Sequence, residues 1–155
     1  MTLKILSVFG TRPESVKMAP VIQALAVAEG ITSVTCFTGQ HQEMVEPILA
    51  IFDIQPDFRL DIMQPNQTLS GLTARLLTAL DPVIQQVQPD WILAQGDTTT
   101  VMVAALTSYY QRCKFGHIEA GLRTYDKYSP FPEEGNRRIA DVMADACFAP
   151  TEQAR

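Results

Sequence analysis

The chain of 155 residues has the length of one domain, with room for a single core but not for the second lobe that a cleft enzyme often needs. Its 46% hydrophobic and 19% charged residues are those of an ordinary globular protein, and no run of about eighteen apolar residues marks a membrane span. A formal net charge of −5 weighs against nucleic acid or another polyanion as a partner. Met1-Thr2-Leu3-Lys4 leads straight into an apolar run without a signal-peptide cleavage site, which predicts a cytoplasmic chain. Cys36, Cys113 and Cys147 are odd in number, far apart and set among apolar residues, the pattern of reduced core thiols.

Short β-rich runs alternate with amphipathic stretches, the signature of an α/β, Rossmann-like, doubly wound parallel sheet covered by helices on both faces. Residues 4–9 read as a first buried strand, and Gly10-Thr11-Arg12-Pro13-Glu14 turns into a helix over 15–28. Residues 33–38 form a second strand, followed by a short helix ending near Phe52. Pro47 removes a backbone donor, so that helix is expected to begin about two residues before it or to kink, with irregular backbone over 40–47. A third strand is predicted at 58–62 and a helix over 69–87, where apolar residues recur with helical period and Pro82 introduces a bend. Strands at 91–94, 115–118 and 146–149 alternate with helices over 98–110 and 132–144, the last preceded by a loop over 120–131. Thr151 then reads as an N-cap and Glu152 as a first-turn acid. That helix is unfinished at Arg155, so the expectation is one N-terminal domain, 1–155, cut from or lost by a larger protein.

In a doubly wound sheet, ligands bind beyond the carboxyl ends of the strands, which directs attention to four segments. In Gly10-Thr11-Arg12-Pro13-Glu14 with Lys17, the glycine admits a ligand to the backbone, the helix start favours an anion, and Arg12 and Lys17 add positive charge. Without a G-x-G-x-x-G or a Walker sequence, neither an NAD site nor a P-loop is expected, and the bland reading is a tight turn with Arg12 paired to Glu14. In Gln95-Gly96-Asp97-Thr98, Asp97 fits the N-cap of the following helix and is also placed for chemistry. In His117-Ile118-Glu119, the acid follows apolar strand residues with Arg123 nearby, and His117 fits a hydrogen-bonded core histidine better than a metal ligand. In Pro132-Glu133-Glu134, two acids suit the helix dipole alone. Their convergence favours chemistry: Asp97, Glu119 and Glu133 are expected to open onto one crevice with Arg12 and Lys17. Carboxylates beside cations suit proton transfer on a phosphate-bearing substrate. No His, Asp and Glu cluster has metal-ligand spacing, and no cofactor is called for.

The strings FGTRPESVKMAP (9–20), GQHQEM (39–44), GDTTT (96–100), HIEAGLRT (117–124) and SPFPEEGNR (129–137) closely resemble the non-hydrolysing UDP-N-acetylglucosamine 2-epimerases, in order and spacing over the whole chain. The resemblance implies one lobe of a glycosyltransferase-B-like fold, a homodimer, and interconversion of UDP-N-acetylglucosamine and UDP-N-acetylmannosamine through UDP elimination and re-addition. Carried over by motif, Asp97, Glu119 and Glu133 are catalytic carboxylates, their division of labour left open, and Arg12 and Lys17 bear on the substrate phosphates. Gln40, His41, Glu43 and Glu134 resemble the place where bacterial members bind a second UDP-N-acetylglucosamine as activator; Pro47 and Asn66 depart from the pattern there. The family's second lobe, with most of the UDP contacts and a catalytic histidine, has no counterpart in these residues, so the fragment alone is expected to be inactive. The alternatives are a hydrolysing epimerase of the same fold and a non-catalytic sugar-nucleotide-binding remnant.

Overall fold

The computed structural model describes residues 2–40 and 42–155. Strands β1 (Leu3–Phe9), β2 (Ile31–Phe37), β3 (Phe58–Arg59), β4 (Trp91–Gln95), β5 (Lys114–Ile118) and β6 (Ala146–Phe148) alternate with helices α1 (Arg12–Val27), α2 (Gln42–Ile51), α3 (Leu69–Val87), α4 (Thr99–Gln111) and α5 (Glu133–Met143). A single turn of 3₁₀-helix follows at Glu152–Ala154, capped by Thr151. The strands form one sheet in the order β3-β2-β1-β4-β5-β6, and every neighbouring pair is parallel. From β1 the chain winds outward to β2 and β3, then returns to the other side of β1 for β4, β5 and β6. The crossovers therefore reverse direction between β1 and β4, and the carboxyl ends of these two strands diverge to leave a crevice.

Alternation along β1 assigns the two faces. Ile5 and Phe9 pack with Met18, Ala19 and Ile22 of α1 and with Val45 and Leu49 of α2. Leu6 and Val8 join Leu72, Leu76 and Leu80 of α3, Val101 of α4 and Ala140 of α5. Thr11 caps α1 in a reciprocal capping box with Glu14, so the helix starts at Arg12, three residues before the sequence expectation.

Three expectations are corrected. Pro47 neither starts nor shortens its helix: α2 runs from Gln42 through Pro47 to Ile51. Val45 and Leu49, four residues apart and both buried, hold it in place despite the roughly 3 kcal/mol a helical proline can cost. The third strand contracts to Phe58–Arg59, because β2 ends at Phe37 and the Leu60 N–H bond to the Phe37 carbonyl, at 2.8 Å, is the last rung. Of the three cysteines only Cys36 is a core thiol, its burial raising its pKa to about 12; Cys113 is half-buried and Cys147 exposed on the edge strand. By contrast, α3 occupies the expected 69–87 and is a single helix through Pro82, with six residues buried between Leu72 and Val87.

Truncation of the fully buried Leu80 tests this packing. Leu80→Ala is expected to lower the unfolding free energy by about 2–5 kcal/mol in urea titrations. Val142→Ala, at a position 78% exposed, should change it by no more than about 0.5 kcal/mol.

Candidate active site

At the β1–α1 turn Gly10 has no room for a side chain, since a β-carbon there would stand 2.1 Å from Thr38 Oγ1. One turn on, the Glu14 carboxylate folds back: Oε2 accepts the Gly10 and Thr11 N–H groups at 2.7 and 2.8 Å, and Oε1 accepts the Thr98 hydroxyl. Burial raises the Glu14 pKa, and the hydrogen bonds from Thr98, Thr11 and Gly10 oppose that rise. The expected Arg12–Glu14 pair is thus replaced by a carboxylate facing backbone donors.

Across the crevice, Gly96 takes φ +91° at the end of β4. Thr98, not Asp97, caps α4 by accepting the Val101 N–H. Freed from capping, Asp97 accepts Arg137 Nη2 of α5 at 2.6 Å, while its carbonyl accepts the Asn136 amide at 3.0 Å. Glu119 follows β5 with φ +67°, a left-handed backbone costing a non-glycine residue about 1–2 kcal/mol. Its N–H and that of Ala120 both donate to the Phe148 carbonyl, at 2.9 and 3.1 Å, which fixes the turn. The Glu119 side chain is gripped from two sides: Lys17 Nζ lies 2.9 and 2.7 Å from its oxygens, and the Gln95 amide donates to Oε2.

These groups line one cleft of about 160 Å³, bounded by Thr11, Pro13, Glu14, Lys17, Gln95, Gly96, Asp97, Thr98 and Glu119. Lys17, Asp97 and Glu119 are therefore brought together as the sequence suggested. Arg12 and Glu133 are not part of this wall. Arg12 is exposed as the first residue of α1, and Glu133 is half-buried at the start of α5, one turn before Arg137 on the same helical face. Gln40 is half-buried and accepts the Thr100 hydroxyl at 3.0 Å, and Glu43 is exposed on α2. Glu134 is fully buried, accepts the Thr124 N–H at 3.2 Å and lies 3.6 Å from Arg137, with its Oε1 unpartnered. His41 lies outside the described residues.

Sequence reasoning missed Glu14, Gln95 and Arg137 as site residues. The first had a readable signal in the T-x-x-E capping box; the other two depend on side chains meeting across elements. It also missed a cluster in which Asp141 of α5 takes the buried His117, Arg123 Nη2 at 2.5 Å and the Gly121 N–H at 3.2 Å. His117 is, as expected, a hydrogen-bonded core histidine.

A parallel sheet whose winding reverses beside a cleft of acids, amides and a lysine defines the Rossmann-like class, here one lobe of a glycosyltransferase-B-like fold. A Streptomyces glycosyltransferase shares the fold alone, at 14% identity and a TM-score of 0.52 over 74% of this chain and 38% of its own. Within that class the chain belongs to the UDP-N-acetylglucosamine 2-epimerase family, whose sequence profile matches residues 23–155. It is 52% identical over 153 residues to the UDP-N-acetylglucosamine 2-epimerase of Yersinia pestis, covering 99% of this chain and 41% of the relative. The crystal structure of the Neisseria meningitidis UDP-GlcNAc 2-epimerase bound to UDP-GlcNAc superposes with a TM-score of 0.95 at 50% identity, over 98% of this chain and 41% of that one. The chain thus spans about two fifths of the length of the curated relatives it matches.

Burial acts to raise the pKa of Asp141, but hydrogen bonds and charge from His117 and Arg123 prevail and hold it below its ordinary 3.8. A lowered carboxyl pKa stabilises the fold above that ordinary value, and the contribution disappears as pH falls through the folded one. Asp141→Asn should therefore lower the melting temperature most near neutral pH, and the gap from wild type should close as the solution is acidified below 3.8. Melting curves across pH that keep a constant gap would exclude this role.

Proposed function

We propose that this chain is the catalytic-carboxylate half of a non-hydrolysing epimerase that interconverts UDP-N-acetylglucosamine and UDP-N-acetylmannosamine. The observation that carries the reading is Glu119, strained in its backbone and gripped by Lys17 and Gln95, in one cleft with Asp97. A carboxylate removes the C2 proton while the C1–oxygen bond breaks, giving 2-acetamidoglucal and UDP. A proton returned to the opposite face of C2, with UDP re-added at C1, gives the epimer. Departure of UDP puts charge on its phosphates, where Lys17 and Arg12 supply compensation, and re-addition takes that charge back into the C1–oxygen bond. Lys17 is about half exposed in its pair with Glu119, an ion pair weak enough to be exchanged for a phosphate. Glu133, one turn before Arg137, enters as the third carboxylate.

The same reading makes the complete enzyme a cytoplasmic homodimer and places a second UDP-N-acetylglucosamine, as activator, against Gln40, Glu43 and Glu134.

Positioning of the UDP group accounts for about 7–11 kcal/mol of a barrier in favourable cases, and the grip needs two walls. Residues 1–155 alone are expected to show no epimerisation, and fusion to the second lobe of the Yersinia pestis relative should restore it. In the fused protein Asp97→Asn or Glu119→Gln should cut turnover by roughly 10²–10⁴-fold with an unchanged circular dichroism spectrum, since an amide keeps the shape but cannot exchange the proton. Deuterium uptake at C2 from heavy water, followed by NMR, reads the proton transfer directly. Full uptake in both variants would refute the assignment, and release of free N-acetylmannosamine would replace it with the hydrolysing reaction.

A further inference from the structure

His117 is fully buried in β5, yet both its ring nitrogens are engaged. Nδ1 meets Asp141 Oδ1 on α5, and Nε2 lies 2.7 Å from the Gly96 carbonyl oxygen at the β4–α4 turn. A carbonyl oxygen and an ionised carboxylate only accept, so each contact requires a hydrogen on the ring. The carboxylate is kept ionised through its other oxygen, which takes the Arg123 guanidinium at 2.5 Å and the Gly121 N–H at 3.2 Å. An imidazole with one hydrogen would leave lone pairs facing each other at Gly96 or at Asp141, in a dry site where an unmade hydrogen bond is most costly. The ring of Phe115 stacks beside the imidazole, with centroids 6.2 Å apart, and completes the enclosure.

We propose that His117 is a positioning residue: a doubly protonated ring that bolts the Gly96 turn to Asp141 of α5 and so sets Asp97 against Glu119. Three elements meet at this one ring. Gly96 precedes Asp97, Glu119 lies two residues beyond His117, and α5 carries the Arg137 that holds Asp97. The catalytic consequence rests on the epimerase reading above; the two ring hydrogens do not.

The test uses the 155-residue chain itself, labelled with ¹⁵N in its histidine rings. At neutral pH, long-range ¹H–¹⁵N spectra of His117 should show a directly bonded, slowly exchanging hydrogen on each nitrogen, and a bare nitrogen overturns the proposal. Positioning is read separately. The Gly96 N–H donates to the Ile118 carbonyl at 3.0 Å, so its exchange with solvent reports how firmly the turn is attached to β5. In Asp141→Asn, Gly96 exchange should rise roughly tenfold or more relative to Leu93 within β4, while Phe9 of β1 stays protected. Unchanged Gly96 exchange, or a uniform rise at all three amides, overturns the positioning role. If Asp141→Asn does not fold, His117→Gln, whose amide donates to only one of the two acceptors, gives the same readout. Failure of the fused protein to epimerise would sink the functional reading and leave these measurements unaffected.

Discussion

The cleft depends on a carboxylate held by neutral donors. Among the described residues Glu14 is joined to no Lys or Arg; its oxygens instead take two backbone N–H groups from the β1–α1 turn and the hydroxyl that caps α4. Those turns flank the point where the sheet reverses its winding, so this one side chain spans the crevice that the topology opens. Lys17 lies three residues further along α1, nearly one turn from Glu14, and so meets Glu119. Removing Glu14 would leave buried donors on both sides of the gap without a partner, a loss felt by the whole wall.

The sequence made the architecture legible because hydrophobic alternation and the placement of glycine, proline and capping residues are local properties. Leu69–Val87 could be delimited to the residue, since a long stripe of leucine, isoleucine and valine has only one helical solution. Pro47 misled for the opposite reason: a local rule about the missing N–H was outweighed by Val45 and Leu49 reaching across to α1. Asp97 shows the same limit at the site. Asp and Thr are both good caps, and which of two adjacent residues caps α4 depends on Arg137, forty positions later, arriving to claim the aspartate. Lys17, Asp97 and Glu119 were legible as a group because strand ends of a parallel sheet share an edge. The inward turn of Glu14, the grip of Gln95 and the role of Asp141 were not, because each requires knowing which side chains meet across elements.

Two kinds of electrostatic contact serve this lobe. The more enclosed contacts, Glu14 with its hydroxyl and amides and Asp141 with His117 and Arg123, tie separate backbone segments together. The half-exposed contact between Lys17 and Glu119 adds little to stability and is easily remade. With an exchangeable pair above more enclosed contacts, the lysine can change partner without disturbing the scaffold.

The left-handed backbone of Glu119 also bears on which residues its position accepts at least cost. Glycine at that position would relieve the strain, at the loss of the contacts to Lys17 and Gln95. At position 119 the backbone alone therefore favours glycine, and the carboxylate is held there against that local preference.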